Sequence, residues 1–196
     1  MPWLILSIAL WGLVHSWTAS LGFKESLRRM FGDGFMRFYR LLYNLFAVVS
    51  IAPVLYLMLV LPDRALVQIP APWSFILRAG QGISALLLLM AVVQTDVFAF
   101  AGLLPLVEEE KPATLVTDGL YRWVRHPLYT FSLGILWLSP SISLNSLVVN
   151  TSLTLYILVG IYFEERKLLR EFGEAYARYK TVTPMLIPGM KRGGNK

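Results

Sequence analysis

Long apolar stretches separated by shorter polar ones run along the whole chain, and several are long enough to cross a membrane. A transmembrane helix needs about 20 consecutive, mainly apolar residues. The pattern predicts five spans, at about residues 1–17, 41–61, 75–104, 128–138 and 144–163. The third span is long enough to be tilted or broken, whereas the fourth is too short to cross alone and should form a tight helical hairpin with the fifth. The predicted fold class is therefore all-α, an integral membrane bundle of about five transmembrane helices.

The polar segments between the spans set the expected boundaries. Residues Lys24–Arg40 carry five basic side chains and are predicted to form a loop, and Pro53 is expected to kink the second span. After the fifth span, the charged stretch Glu164–Tyr179 keeps apolar residues at helical spacing, which predicts an amphipathic cytoplasmic helix lying against the bundle. We expect residues 1–196 to form one domain, with three N-terminal spans in 1–104 and a C-terminal core in 105–188.

Composition agrees with a membrane protein, because 56% of the residues are hydrophobic and the mean hydropathy is +0.59. Both values are too high for an ordinary soluble domain. The first span lacks the basic start of a signal peptide, so we expect it to be retained. With no cysteine and only two histidines, a disulfide framework, a thiolate metal site and a histidine-rich metal centre are excluded. No metal is predicted.

The distribution of positive charge predicts the orientation in the membrane. The net charge is +6, and the basic residues cluster in particular loops, which favours membrane orientation over nucleic-acid binding. With five spans, an outside N-terminus and a cytoplasmic C-terminus, sixteen of the eighteen Lys and Arg residues face the cytoplasm. We therefore expect a multi-pass integral membrane protein in contact with membrane lipid, in the cytoplasmic membrane if the source is bacterial.

Two ionisable side chains, His15 and Asp96, fall inside predicted spans. Such groups are costly in a membrane unless they are paired or hydrated, and they are functional candidates by default. For His15, a position near the water boundary without a role stays open. Asp96 is expected to belong to a site or to an ion pair.

The stretch Leu115–Phe131, which reads LVTDGLYRWVRHPLYTF, gathers charge, aromatic side chains, a glycine and a proline beside a predicted span. Proline suits the first position of a helix, and the residue before a proline is pushed away from the helical region. The pattern predicts a helix that begins at Pro127 with His126 at its mouth, where unpaired N–H groups and a partial positive charge attract anions. Arg125 would strengthen this attraction, although a basic residue here also serves as a simple membrane anchor.

A second polar group follows the fifth span, where Glu164 and Glu165 are adjacent. Two carboxylates at the C-terminal end of a helix are unfavourable for its dipole, so a cation should compensate them. The two groups together could hold a zwitterion, with a carboxylate at the helix mouth and an ammonium at Glu164, and nearby aromatic rings suit an adenine ring or a sulfonium. S-adenosylmethionine has all these parts. The alternative is a structural salt bridge from Arg125 to Glu164 or Glu165.

Four motifs follow one another in the C-terminal half: LVTDGLY at 115–121, RHPLY at 125–129, EE at 164–165 and FGEAYARY at 172–179. In this order and spacing they resemble the isoprenylcysteine carboxyl methyltransferase superfamily of membrane methyltransferases. The resemblance implies S-adenosylmethionine as cofactor. It also implies the residues that bind it: Thr114, Leu115 and Val116 largely through their backbone, Tyr121, His126, Pro127 and Tyr129 as the lining, and Glu164 at the amino-acid end.

The methyl acceptor expected from the resemblance is a small or lipophilic nucleophile. A thiol acceptor must lose its proton, because the thiolate is the nucleophile. The candidate catalytic residues are His15, Asp96 and Arg125, and His126 is a further candidate for assisting the proton loss. The sequence does not rank them.

Further motifs are similar to the methanethiol S-methyltransferase branch, which is also related to NnrU-like proteins: WLSP at 137–140, YILVGI at 156–161 and VTPMLIP at 182–188. This branch implies a small thiol acceptor. The prenylcysteine enzymes carry an arginine four residues before the glutamate, where this chain has Gly160. Two alternatives stay open. One is carboxyl (prenylcysteine-type) or lipid methylation, and the other is a non-catalytic NnrU-like accessory or transport protein.

Overall fold

The computed structural model describes residues 2–95, 97–103 and 114–190. Its helices are α1 (Pro2–Ala19), α2 (Leu21–Ser50), α3 (Ala52–Val60), α4 (Trp73–Gln94), α5 (Val97–Ala101), α6 (Pro127–Trp137) and α7 (Leu144–Val182). A short 3-10 helix, Gly119–Arg122, precedes α6, and two strands, β1 (Ala65–Gln68) and β2 (Ser141–Ser143), pair with each other. The described chain is mostly helical, as predicted, but it contains a small sheet that the all-α prediction did not include.

Four of the described helical stretches are long and apolar enough to cross a membrane: α1, the α2–α3 stretch Leu21–Val60, α4 and α7. Many of their large apolar side chains are exposed; Leu13 on α1 is 70% exposed and Leu59 on α3 is 81% exposed. Removing apolar surface from water is favourable, and contact with lipid would remove it. These are the features of an integral membrane protein, while the number of spans and their sidedness stay predictions.

The predicted loop Lys24–Arg40 is helical, so this prediction was wrong. The Ser20 side chain caps α2 by accepting a backbone hydrogen bond of 3.3 Å. Charged side chains then pair along the helix surface, with Arg29 Nε 3.3 Å from Glu25 Oε1, a spacing of four residues that supports a helix. Gly32, at φ 74°, is a non-helical residue that divides α2 into two parts.

Two predicted interruptions are confirmed. The kink expected at Pro53 separates α2, which ends at Ser50, from α3, which begins at Ala52 and has the proline in its first turn. The long third span is broken after Gln94, where α4 ends, and α5 starts only at Val97. Asp96, a candidate catalytic residue, lies outside the described residues.

Contacts divide the chain into two compact units. The first consists of Met1–Ala65, Asp96–Pro112 and Ser143–Ser152, and the second of Leu66–Thr95, Ala113–Ile142 and Leu153–Lys196. In the first unit, α1 packs against α2 and α3. The fully buried side chain of Asn145 there donates to the carbonyls of Met58 (3.3 Å) and Leu61 (3.2 Å).

In the second unit, α4 packs against α6. A Cβ atom at Gly134 on α6 would lie 2.5 Å from the Ser84 hydroxyl oxygen on α4, and the Gln81 side chain donates to the Ile135 carbonyl (2.7 Å). Small residues let membrane helices approach closely, and polar side chains bond across them. This contact fixes the position of α6, which is only 11 residues long.

The C-terminal part of the chain from Glu164 onwards, here called the tail, does not begin as a separate element. Helix α7 continues without interruption from its apolar part into the charged residues after Phe163. Its regular backbone is broken at Gly173, whose φ is 53°. An amphipathic helix lying on the membrane surface stays a prediction.

Candidate functional site

The N-terminus of α6 is the starting point of the candidate site. The helix begins at Pro127, as predicted, and His126 precedes it as the N-cap residue with a non-helical backbone. Val124, Arg125, His126 and Pro127 are all buried. The RHP motif is therefore an interior feature of the second unit.

The residues that follow α7 contact the residues at the N-terminus of α6. The Arg125 N–H donates to the Pro184 carbonyl (2.9 Å), and the His126 N–H donates to the Met185 carbonyl (3.2 Å). Two of the N–H groups near the mouth are therefore bonded to the chain itself. An anion at the N-terminus of α6 would therefore be bound mainly by side chains, whereas the sequence pattern had also suggested backbone N–H groups.

The guanidinium of Arg125 is held on several sides. Its Nε and Nη2 lie 3.0 Å and 2.5 Å from Glu165 Oε1, and its Nη1 donates to the carbonyls of Lys180 (3.2 Å) and Thr183. The ammonium of Lys180 lies 2.5 Å from the other oxygen of Glu165. The structural salt bridge considered as an alternative from the sequence is thus present, with Glu165 as the acidic partner.

This network joins two cations to one carboxylate. The side chains of Arg125 and Glu165 are only 6% and 11% exposed, and a buried charge that lacks a partner is strongly destabilising. Arg125 and Lys180 share Glu165, and the neighbouring Glu164, whose Oε2 lies 3.7 Å from His126 Nδ1, balances the second positive charge. The cluster therefore carries two positive and two negative side chains.

Three polar atoms in the same cluster are enclosed but unsatisfied: His126 Nε2, Glu164 Oε2 and the Tyr176 hydroxyl. By distance and angle none of them makes a well-formed hydrogen bond within the described residues, although the Tyr176 hydroxyl interacts with Arg125 and the His126 ring with Glu165. His126 Nδ1 lies 3.7 Å from Glu164 Oε2, and its Nε2 lies 3.5 Å from Glu165 Oε1, which is too long for a well-formed hydrogen bond. Each buried unsatisfied group costs roughly 1–3 kcal/mol, so a polar ligand would find ready partners here.

Two predicted lining residues, Tyr121 and Tyr129, lie close to this cluster. The rings of Tyr129 and His126 are 5.8 Å apart. Burial, together with the negative charge of Glu164, raises the pKa of Tyr121 to about 12. Tyr121 therefore keeps its proton at neutral pH and presents a neutral aromatic ring with a hydroxyl donor.

The position of Tyr121 depends on a glycine and an amide. Gly119 opens the 3-10 helix at φ 58°, and a Cβ there would lie 2.6 Å from the side-chain amide of Gln94. The same amide accepts a hydrogen bond from the Leu120 N–H (2.8 Å). Only glycine combines this positive φ with this close approach.

The remaining predicted residues are placed as follows. Thr114, Leu115 and Val116 precede the 3-10 helix without regular secondary structure, and Thr114 is exposed. His15 belongs to the first unit, where its Nε2 lies 2.6 Å from the Tyr43 hydroxyl and its ring stacks on Trp11. The roles predicted for these residues stay predictions, as does that of Asp96.

Sequence reasoning missed the part played by Tyr176, Lys180 and Thr183. All three belong to the tail, and each bonds to or interacts with the residues around Arg125. A signal was present, because Tyr176 and Lys180 are four residues apart and so lie on the same face of a helix. Tyr176 was interpreted only as part of the amphipathic stretch Glu164–Tyr179, and Lys180 was not considered.

Comparison with known proteins tests the family resemblance. The family model "Isoprenylcysteine carboxyl methyltransferase (ICMT) family" matches residues 76–171. A methanethiol S-methyltransferase from Crocosphaera subtropica is 40% identical over 81 residues, which is 41% of this chain and 32% of that protein. One from Pseudomonas deceptionensis is 34% identical over 111 residues, which is 54% of this chain and 42% of that protein.

A more distant relative belongs to the prenylcysteine enzymes. The protein-S-isoprenylcysteine O-methyltransferase of Xenopus laevis is 36% identical over 92 residues, which is 43% of this chain and 30% of that protein. No solved structure gives a significant match. The chain spans well under half the length of the curated relatives it matches. The predicted resemblance to the isoprenylcysteine carboxyl methyltransferase superfamily is nevertheless confirmed, by a family match that covers residues 76–171.

Proposed function

We propose that this protein is an integral membrane methyltransferase that uses S-adenosylmethionine and methylates a small thiol. The observation that carries the proposal is the cluster around His126, in which a Glu164 carboxylate oxygen without a hydrogen bond in the described chain lies near the ion pairs that Arg125 and Lys180 make with Glu165. A cluster with both signs of charge is suited to a zwitterion. Its central residues, from the RHP motif to the two glutamates, fall within the matched region 76–171.

The residues present fit the amino-acid end of S-adenosylmethionine. Glu164 Oε2 is a buried acceptor without a hydrogen bond in the described chain, and it suits the ammonium. Arg125 and Lys180, two cations that share the single carboxylate of Glu165, suit the carboxylate. The rings of Tyr121 and Tyr129 suit the adenine or the sulfonium, since aromatic faces attract cations.

When bound, S-adenosylmethionine would supply a methyl group carried on a positively charged sulfur; a thiolate would take the methyl group, and the demethylated thioether would leave. The chain itself contributes binding and orientation, which can supply several kcal/mol of the barrier reduction. His126 is a candidate acceptor for the thiol proton, and its ring nitrogens lie 3.7 Å from Glu164 Oε2 and 3.5 Å from Glu165 Oε1. Tyr121 does not compete as a base, since its pKa of about 12 keeps it protonated.

The choice of a small thiol is supported by two observations. The relatives from Crocosphaera subtropica and Pseudomonas deceptionensis are named methanethiol S-methyltransferases. Gly160 lies one turn before Glu164 on α7, and a Cβ atom there would meet nothing within 4 Å. A carboxylate acceptor would find no side-chain charge at this position.

Titration calorimetry on the purified protein tests the cofactor, with S-adenosylmethionine and its demethylated product as ligands. We expect saturable binding of both, followed by transfer of labelled methyl groups to methanethiol. A protein that binds neither ligand would not be a methyltransferase, and the accessory or transport alternative would then replace the proposal.

A further inference from the structure

Gln94, the last residue of α4, is bonded to the 3-10 helix that carries Tyr121. Its side-chain Oε1 accepts a hydrogen bond of 2.8 Å from the Leu120 N–H, 26 residues further along the chain. The first N–H groups of a helix need a partner from outside the helix. Asp118, the N-cap residue, is of a type that commonly provides one, but its side chain makes no capping bond among the described residues. Gln94 therefore acts as the cap.

A cap from another helix fixes the location of the capped helix as well as its start. Tyr121 follows Leu120 directly, and its carbonyl accepts the Tyr179 hydroxyl (2.5 Å). This short segment is therefore held by two other parts of the second unit. The charge of Glu164 acts on the Tyr121 side chain, so a shift of the 3-10 helix would change the spacing between these two predicted site residues.

Helix α4 also supports the other half of the predicted site. A second glutamine of this helix, Gln81, donates to the Ile135 carbonyl in the C-terminal half of α6 (2.7 Å). Helix α6 has His126 at its opposite end, as the N-cap residue. The two glutamines thus bond to separate parts of the site, and only Gln94 bonds next to a predicted lining residue, Tyr121.

We propose that Gln94 is a positioning residue of the S-adenosylmethionine site, which keeps Tyr121 in place near Glu164 by holding the Leu120 N–H. This inference rests on the proposed function, because it gives Gln94 an effect on the ligand only through Tyr121. Without the acceptor oxygen, the ligand would have to order the 3-10 helix as it binds. Ordering of a binding segment lowers affinity, whereas a segment that is already in place does not carry this cost.

The test compares matched variants of the full-length protein by thermal unfolding and by titration calorimetry with S-adenosylmethionine. Gln94→Met keeps an unbranched side chain and replaces the amide by a thioether, which is a weak acceptor. Gln81→Met is the control, because it removes one hydrogen bond to a backbone group from the same helix. Both should lower the thermal midpoint to a similar extent. Only Gln94→Met should weaken binding, by about threefold to tenfold, as expected from the loss of one hydrogen bond.

A double-mutant cycle tests whether the effect passes through Tyr121. In a Tyr121→Ala background, Gln94→Met should weaken binding little further, since the side chain that it positions is gone. Equal effects of Gln94→Met in both backgrounds would overturn the inference and leave Gln94 with a purely structural role. Gln94→Glu keeps an oxygen at the acceptor position and should bind nearly as well as the parent. A loss as large as that of Gln94→Met would show that the acceptor oxygen does not matter.

Failure of this inference differs from failure of the proposed function. A parent protein that does not bind S-adenosylmethionine would contradict the proposed function and the inference with it. If the parent binds and Gln94→Met has the same affinity as Gln81→Met, the proposed function stands and the positioning role of Gln94 is wrong.

Discussion

The Arg125 guanidinium contacts the Glu165 carboxylate and two backbone carbonyls of the tail. Its donors are largely used by these contacts, so it acts on a ligand mainly through the position and charge of the network. Arg125 was a candidate catalytic residue from the sequence. We now expect its main effect to be on folding of the site.

The first prediction is that Arg125→Ala lowers the free energy of unfolding by about 3 kcal/mol, because breaking a buried ion pair leaves an uncompensated charge. The value lies at the lower end of the known range, since Lys180 still pairs with Glu165. Arg178→Ala is the matched control, because Arg178 and its partner Glu174 are exposed and such pairs contribute about 0–1 kcal/mol. Chemical denaturation in detergent measures both. Equal effects would mean that the buried network contributes no more than a surface pair.

The second prediction concerns Glu164 and His126. Glu164→Gln and His126→Ala should each weaken S-adenosylmethionine binding by about tenfold or more, because a hydrogen bond to a charged group contributes about 1.5–3 kcal/mol. Glu174→Gln, which removes an exposed carboxylate from the same helix, should bind like the parent. Calorimetry provides the affinities. Parent-like affinity in either variant would remove that residue from the site.

Neighbouring residues in the sequence predicted the centre of the site, whereas contacts between residues far apart in the sequence were not predicted. Pro127 and His126 define a helix start through the geometry of proline alone, and the structure has that start. The partners of Arg125 lie 40 residues away at Glu165 and 58 residues away at Thr183. The latter contributes a backbone carbonyl, which no side-chain pattern reveals.

At the scale of elements, the apolar pattern predicted helices better than the charge pattern predicted loops. The break at Pro53 was predictable because proline removes a donor and clashes with the preceding turn. The charged residues Lys24–Arg40 were misinterpreted because basic side chains mark both loops and the exposed faces of helices. Their pairing at a spacing of four, as between Glu25 and Arg29, was the overlooked signal.

The third prediction tests the contact between α4 and α6. Gly134→Ala should lower the free energy of unfolding by about 1–3 kcal/mol, the usual cost of overpacking, because its Cβ would lie 2.5 Å from the Ser84 hydroxyl oxygen. Adding Ser84→Ala removes that oxygen and should restore part of the loss. Gly82→Ala on α4 meets nothing within 4 Å and should be nearly neutral or stabilising. Failure of Ser84→Ala to rescue would show that another contact limits the approach.

At the scale of the whole molecule, the fourth prediction is that the C-terminus faces the cytoplasm. The argument is the excess of Lys and Arg in the first and third polar segments and in the tail. A C-terminal reporter that is active only outside the cytoplasm should therefore be silent, and one that is active only inside should give a signal. The reverse result would overturn the five-span arrangement.

The choice of acceptor also belongs to this scale, because it depends on how the membrane admits the substrate. A carboxylate moved from water into a membrane-depth pocket costs several kcal/mol unless a charge pairs with it. Gly160 offers no charge, and Glu164 and Glu165 follow it on α7 and would repel an anion. A small thiol can enter as a neutral molecule and ionise only as it reacts.

The fifth prediction is that the protein methylates a small alkyl thiol faster than a prenylcysteine analogue. Gly160→Arg should shift this ratio towards the carboxylate substrate, because there is open space at its Cβ position and the new guanidinium can pair with the acceptor. Gly160→Ala adds a Cβ without charge and should leave the ratio near that of the parent. Arg166 is a rival partner for the carboxylate, but it lies six residues further along α7, beyond Glu164 and on a different level of the helix. Faster turnover of the prenylcysteine analogue by the parent protein would show that such a partner exists, and carboxyl methylation would then become the favoured activity.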